Sequence, residues 1–208
     1  MFLGELAKMF GCSPQSAHAM LKSLGITRKK QLAYSEASEK KRARFASRVK
    51  RVPLGKRVYV DESGIREHPQ REFGCAPRGL KVAGARPGKC FGRVNVIGAL
   101  CAALHLCVER YRHSTDSAFF EDWFENRLLK AMPWGEGYAV ILDNASFHRR
   151  KALRRLARGK ARLLFLPPYS PDCNRIEKSW ANMKRFLRGC LDKFASVESA
   201  VHAHFLVS

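Results

Sequence analysis

Along the first thirty residues, apolar positions recur at three- and four-residue spacing. Leu3, Leu6, Ala7 and Phe10 share one helical face, and Gly11 ends that helix. Ser13 is placed to cap the next helix and Pro14 to occupy its first position. That helix carries Ala17, Met20, Leu21 and Leu24 on one face and closes at Gly25. Two short helices around a tight Gly-containing turn fit a helix-turn-helix; an ordinary helical hairpin has nearly the same pattern. In the first reading Gln15, Ser16, His18, Ala19 and Lys22 face outward from a recognition helix, available to base edges and phosphates.

From residue 55 the pattern changes. Residues 57–60 form a β-branched and aromatic run that predicts a strand, with Asp61-Glu62-Ser63-Gly64 as the turn after it. Residues 93–100 predict a longer strand and 106–111 another. Residues 117–131 have helical periodicity, with Phe120, Trp123, Phe124 and Leu128 on one side. Residues 138–142 and 163–166 are wholly apolar, as in strands covered on both faces. Between them, 149–158 reads as a basic helix. A stiff proline loop (167–172) then leads to an amphipathic helix over 175–188, ended by Gly189. Strands first and βαβα afterwards predict an α/β fold, a mixed sheet with helices on both faces, preceded by a small all-α segment. The implied domains are 1–30, a helix-turn-helix segment; 31–54, a basic helical linker; and 55–208, the α/β body.

Composition narrows the function. The chain has 208 residues, 46% of them hydrophobic, and three tryptophans, enough for a real core. No run of about 18 apolar residues occurs, which excludes a membrane-spanning helix. The N-terminus carries Glu5 and no small-residue cleavage site, so it does not read as a signal peptide. Seven cysteines, an odd number without a C-x-x-C pair, argue against a disulfide framework or zinc ribbon and suit a reducing cytoplasm. The net charge of +21 sits in two blocks: +11 over residues 1–60, zero over 61–145 and +10 over 146–208. Solubility needs a magnitude of only about 2–8, and no amphipathic apolar face accompanies the charge as membrane binding would require. The distribution points to a polyanion, nucleic acid, and together with the helix-turn-helix pattern to double-stranded DNA, with Arg28, Lys29 and Lys30 behind the second helix as further contacts.

Three carboxylates stand out by position. Asp61 and Asp143 each end a predicted apolar strand, where sites form in open α/β sheets, and Glu177 lies in the first turn of the helix after the proline loop. Each has a structural reading too. An Asp after a strand is commonly a turn residue, and Asn174 with Glu177 makes a capping-box-like pair.

The strings VDESG (60–64), LDNASFH (142–148) and LPPYSPDCNRIEKSW (166–180) resemble the three signature blocks of DDE transposases of the mariner superfamily, nearest the bacterial insertion-sequence branch; RVNVIGAL (93–100) adds to the likeness. The resemblance implies a ribonuclease-H-like catalytic domain in which Asp61, Asp143 and Glu177 bind two Mg²⁺ (or Mn²⁺) ions. It also implies cleavage at transposon ends and strand transfer into target DNA, by a homodimer on paired ends. Asp143 and Glu177 have 33 residues between them, a spacing similar to that group's. Hard divalent ions call for oxygen ligands, and a pair of them can clamp the attacking and leaving oxygens of an in-line displacement. Glu62 falls on the opposite strand face from Asp61 and is not carried over as a ligand.

The sequence departs from the family at Cys173 and at Arg175, which stands where proline is usual. Family members carry two helix-turn-helix units and this chain has room for one, so it reads as starting inside a longer ancestral protein. The alternative function is a truncated or decayed transposase that binds DNA without catalysing transposition; another ribonuclease-H-like nuclease has less support. Of the remaining groups, His148 reads as a DNA or phosphate contact or equally as a satisfied helix-start histidine. His105 and Cys107 alternate on a possible strand and could share a face, as core side chains rather than zinc ligands. Trp123, Trp134 and Trp180 read as packing residues, and His202 and His204 as part of a frayed tail.

Overall fold

A computed structural model describes residues 3–27, 34–66, 77, 79, 92–132, 137–190 and 193–206. The chain divides into two compact units, 1–33 and 34–208.

In the first unit, α1 (Leu3–Met9) and α2 (Pro14–Ser23) are joined through Gly11, whose φ of 60° suits a residue without Cβ. Ser13 Oγ accepts from Ser16 N–H at 3.1 Å, and Pro14 opens α2. Among the described residues of this unit only Ala7 and Ala17 are buried; Phe10, Met20 and Leu24, expected on covered faces, are exposed, because two short helices meeting through alanines enclose little else. Arg28, Lys29 and Lys30 lie outside the described residues, as does Trp134.

The second unit is built on a five-stranded sheet. Its strands are β1 (Arg57–Arg66), β2 (Arg93–Cys101), β3 (Leu104–Tyr111), β4 (Ala139–Leu142) and β5 (Arg162–Phe165), in the order β3-β2-β1-β4-β5. β1 and β2 pair antiparallel, as do β2 and β3, while β1–β4 and β4–β5 are parallel. This is the expected ribonuclease-H-like mixed sheet. One face packs on α3 (Glu39–Lys50), α7 (Ile176–Cys190) and α8 (Val197–Leu206). The other packs on α4 (Ser117–Trp123), a π turn (Phe124–Leu128), α5 (Leu129–Ala131) and α6 (Arg150–Leu156). The period-two pattern of β1 makes the division: Tyr59 and Ile65 enter the first core, Val58 and Val60 the second. α3 belongs to this unit, with Phe45 and Val49 buried in the first core. The helical side predicted for 117–131 is covered, since Phe120, Trp123, Phe124 and Leu128 are all fully buried.

Three sequence expectations are corrected here. β1 does not turn at Asp61: it runs to Arg66, because its pairing with β2 continues through Arg66 opposite Arg93. His105 and Cys107 do not share a face. A β-bulge lies where Leu100 pairs with His105 but Ala99 with Cys107, and it sends His105 to Trp180 and Phe205 and Cys107 to the opposite core. Residues 197–206 are not frayed. They form α8, whose Phe205 packs edge-on against Trp180 at 6.2 Å and partners His105 at 4.8 Å.

Candidate active site

Parallel pairing of β1 with β4 brings Tyr59 opposite Ile141. Two residues further on come Asp61, midway along β1, and Asp143, just past the end of β4, so the two adjacent strands deliver both carboxylates to one place. The proline loop and the start of α7 complete the surroundings. Asp61, Asp143 and Glu177 line one cleft of about 290 Å³, together with Asn144, Asn174 and residues 166–171.

Several contacts hold the cleft. Asn144 Nδ2 donates to the Leu166 carbonyl at 2.6 Å, tying the end of β4 to the end of β5, and Asp143 Oδ1 accepts from Ala145 N–H at 2.9 Å. In the proline loop, Tyr169 has φ of 54°, a left-handed conformation that bulky residues rarely adopt, between Pro168 and Pro171. Arg42 of α3 grips the loop's Asp172 with two hydrogen bonds of 2.9 and 2.5 Å.

Asn174 does not cap α7 as the Asn174–Glu177 spacing suggests. Its side chain is buried and donates from Nδ2 to the Val60 carbonyl at 3.1 Å, fastening the helix start to the residue before Asp61. A helix cap and a cross-chain tether look alike in sequence, since both need a short amide before the helix.

Asp61 meets a partner that the sequence reading treated as packing alone. Trp180, one turn along α7 from Glu177, is 1% exposed and donates from Nε1 to Asp61 Oδ2 at 3.1 Å. It reaches β1 because Gly98 faces Asp61 across the ladder: a Cβ there would stand 2.9 Å from the indole ring. The only sequence signal for this was a glycine inside an apolar strand, which marks close approach.

Glu62 points to the opposite face, as expected, yet it joins the same site. His148 is buried between two carboxylates, with Nδ1 2.9 Å from Asp143 Oδ1 and Nε2 3.4 Å from Glu62 Oε1. Phe120 packs on its ring at 4.1 Å. His148 is thus a satisfied histidine at a helix start, one of its two sequence readings, and its partners add what the sequence does not announce: it bridges Asp143 to Glu62 on the other strand face.

The charges fit this geometry. Burial pushes the Asp61 carboxyl up to about 8, and the negative charges of Glu177, Glu62 and Asp143 add to it. Burial also raises Glu177, with Lys184 opposing and Asp143 contributing. Asp143 is raised by burial but held below its ordinary value on balance by His148 and the Ala145 N–H. His148 would be lowered by burial; Asp143 and Glu62 overcome this and lift it to about 9.

Half-buried carboxylates raised by burial and by one another's charge are a donor set that a hard divalent cation relieves. Asn174 agrees with this, since its buried Oδ1, beside the same cleft, has no hydrogen-bond partner among the described residues. In the arrangement seen here Asp61 is turned to Trp180 and Asp143 to His148. Among the described residues no three His, Cys, Asp or Glu side chains are already gathered at metal-ligand spacing.

Elsewhere, the α2 residues Gln15, Ser16, His18 and Lys22 are exposed, with Ser16 engaged by the Ser13 cap. No helix among the described residues is long and apolar enough to cross a membrane.

Comparison with solved structures returns the same architecture. A Mos1 transposase paired-end complex with left transposon end superposes with a TM-score of 0.63 at 21% identity, covering 90% of this chain and 61% of that one. A Mos1 mariner paired-end complex with Mn gives 0.62 at 18% identity, covering 99% and 71%. The catalytic domain of Mos1 mariner transposase gives 0.52 at 19% identity, covering 74% of each chain. The chain thus spans about three fifths of the length of the first of these transposases. No curated protein sequence matches it. The sequence profile of the DDE superfamily endonuclease family matches residues 56–199. Because that stretch is well over half of the chain and contains all three cleft carboxylates, the chain belongs to the DDE superfamily endonucleases.

Proposed function

We propose that this chain is a DDE transposase of the mariner type, in the bacterial insertion-sequence branch, acting on double-stranded DNA. It cleaves transposon ends and joins the freed 3′-hydroxyl to target DNA, as a homodimer on paired ends. The observation that carries the reading is the convergence of Asp61, Asp143 and Glu177 on one cleft, with Asp61 driven up by burial and further by the charges around it. Support comes also from the fold's likeness to Mos1 complexes described with a transposon end, with strand transfer and with Mg or Mn.

In this reading Asp61, Asp143 and Glu177 hold two divalent cations, Mg²⁺ or Mn²⁺. When bound, such a pair lowers the pKa of water and stabilises both oxygens of an in-line phosphoryl displacement. The chain's own groups prepare the place. Trp180 orients Asp61 through its indole N–H, and His148 fixes the rotamer of Asp143. Asn174 holds Glu177's helix against β1, and the proline loop, pinned through Asp172 to Arg42, walls the cleft. Gln15, Ser16, His18 and Lys22 on α2, with Arg28, Lys29 and Lys30, take the end sequence of the DNA.

Calorimetric titration of the full chain with Mn²⁺ tests the metal assignment. Saturable binding that Asp61→Asn weakens sharply supports it; titration curves equal in the two proteins refute it.

A further inference from the structure

The surface beside the cleft carries a feature that the acid triad does not use. On α3, Lys41, Arg44 and Arg48 follow one another at helical spacing and therefore share a face. On α6, Arg150 and Arg154 do the same across the edge strand β5. Between them runs a groove of about 500 Å³ floored by Phe45 and residues 163–166, with Lys41, Arg48, Arg150 and Arg154 on its walls. A shallower hollow continues it past Arg44 to Pro167. The groove borders the carboxylate cleft, since Asn144, Leu166 and Pro168 line both.

Among the described residues none of these five cations forms an ion pair, and the nearby Asp172 is taken by Arg42. Arg150 is fixed in place, stacked over the Phe165 ring at 4.6 Å and donating to Asn144 Oδ1. Holding an Arg in position beside four unpaired cations costs side-chain entropy and electrostatic repulsion, which a solubilising surface does not require. Lys41 to Arg48 spans seven helical residues, about 10 Å at ~1.5 Å per residue, which matches about three base-pair rises of ~3.4 Å along a duplex axis.

We infer that this groove, between α3 and α6 along the β5 edge, grips the backbone of the DNA duplex on one side of the scissile phosphate. The inference rests on the transposase reading, and it assigns to α3 of the second unit a DNA contact separate from the α2 residues. Lys41, Arg44, Arg48 and Arg154 contact phosphates, while Arg150, anchored on Phe165, marks the end of the track nearest the carboxylates.

The test is the salt dependence of binding, by fluorescence anisotropy, of the full chain to a short duplex of arbitrary sequence. Lys41→Gln/Arg44→Gln/Arg48→Gln is expected to flatten the log–log slope by about 2.7, from ~0.9 per phosphate contact. A charge-matched variant, Lys130→Gln/Arg185→Gln/Arg188→Gln, is expected to leave it unchanged. Should the first variant unfold, Arg154→Gln on the opposite wall is expected to flatten the slope by about 0.9. An unchanged slope in the groove variants, equal losses in both triple variants, or tighter binding of an RNA duplex than of DNA overturns the groove. Metal-dependent plasmid nicking by the wild-type chain is recorded beside it. Nicking with an unaffected slope sinks the groove alone; a flattened slope without nicking sinks the transposase reading and leaves the groove a DNA surface.

Discussion

The indole N–H of Trp180 donates to Asp61 Oδ2 at 3.1 Å, so a residue in the middle of the hydrophobic core also holds one of the cleft carboxylates. The contact needs α7 close against β2, and Gly98 gives that room.

Two substitutions separate packing from orientation. Trp180→Phe keeps an aromatic ring in the core but removes the donor, so cleavage is expected to fall at least tenfold while KM for DNA stays near wild type. Gly98→Ala drives a methyl into the ring and is expected to lower stability by about 1–3 kcal/mol, the usual range for overpacking. Denaturant unfolding with steady-state nicking distinguishes the two. Trp180→Phe with unimpaired cleavage shows that the hydrogen bond is incidental.

His148 is the second such device. Replacing it by Ala leaves Asp143 without its Nδ1 partner and Glu62 without Nε2. Groups that orient metal-binding side chains typically contribute about 10–100-fold to metal affinity or activity. Mn²⁺ affinity of His148→Ala, measured by calorimetry, is expected to drop by that amount. His148→Gln, which can keep one hydrogen bond, is expected to recover part of it. Equal affinities in all three proteins contradict the bridge's role.

The proline loop has its own pH signature. Arg42, hydrogen-bonded to Asp172, holds that carboxyl below its ordinary value in the folded chain. A lowered folded-state pKa gives stability that is fully present above the unfolded value and is lost as pH falls through the folded one. The difference in Tm between wild type and Arg42→Gln is therefore expected to be constant from neutrality to about pH 5 and to shrink toward zero below ~pH 4. A difference that persists in acid assigns the contribution of Arg42 to something other than this pair. The pair is partly exposed, so added salt is expected to reduce the difference as well.

Asn174 supplies a stability test. Removing the buried donor to the Val60 carbonyl strands an acceptor, a loss of about 1–3 kcal/mol. Asn174→Asp keeps the shape but adds charge beside Asp61 and Glu177, so it is expected to be at least as destabilising as Asn174→Ala in urea unfolding. If Asn174→Ala matches wild type, the helix start is held by other contacts.

Much of the second unit could be read along the chain because its strands and helices carry undiluted periodicity. The apolar runs at 138–142 and 163–166 are central and edge parallel strands, and the 117–131 stripe is a covered face. Asp61 and Asp143 could be singled out because each follows an apolar run, while Glu177, in the first turn of a helix, joined them only through the family resemblance. What escaped depended on distant partners. β1 continues beyond Val60 only because β2 pairs with all of it, so a polar stretch that looks like a turn is a strand. The bulge in β3 shifts side-chain alternation by one residue, and nothing at residues 104–107 announces it. His148 and Trp180 look like ordinary helix-start and core residues, and their contacts to Asp143 and Asp61 are made across 5 and 119 positions of chain. The exposed apolar side chains of α1 and α2 run against the periodicity, because spacing records a face but not whether anything covers it.

The most direct measurement is nicking of a supercoiled plasmid by the purified full chain with Mg²⁺ or Mn²⁺. Wild type is compared with Asp61→Asn, Asp143→Asn and Glu177→Gln under conditions where all four proteins bind DNA equally. Nicked circles that require the metal and disappear in each of the three variants are the expected result. Nicking that survives loss of any one of these carboxylates, or that proceeds equally in EDTA, contradicts the assignment of Asp61, Asp143 and Glu177 as one catalytic site.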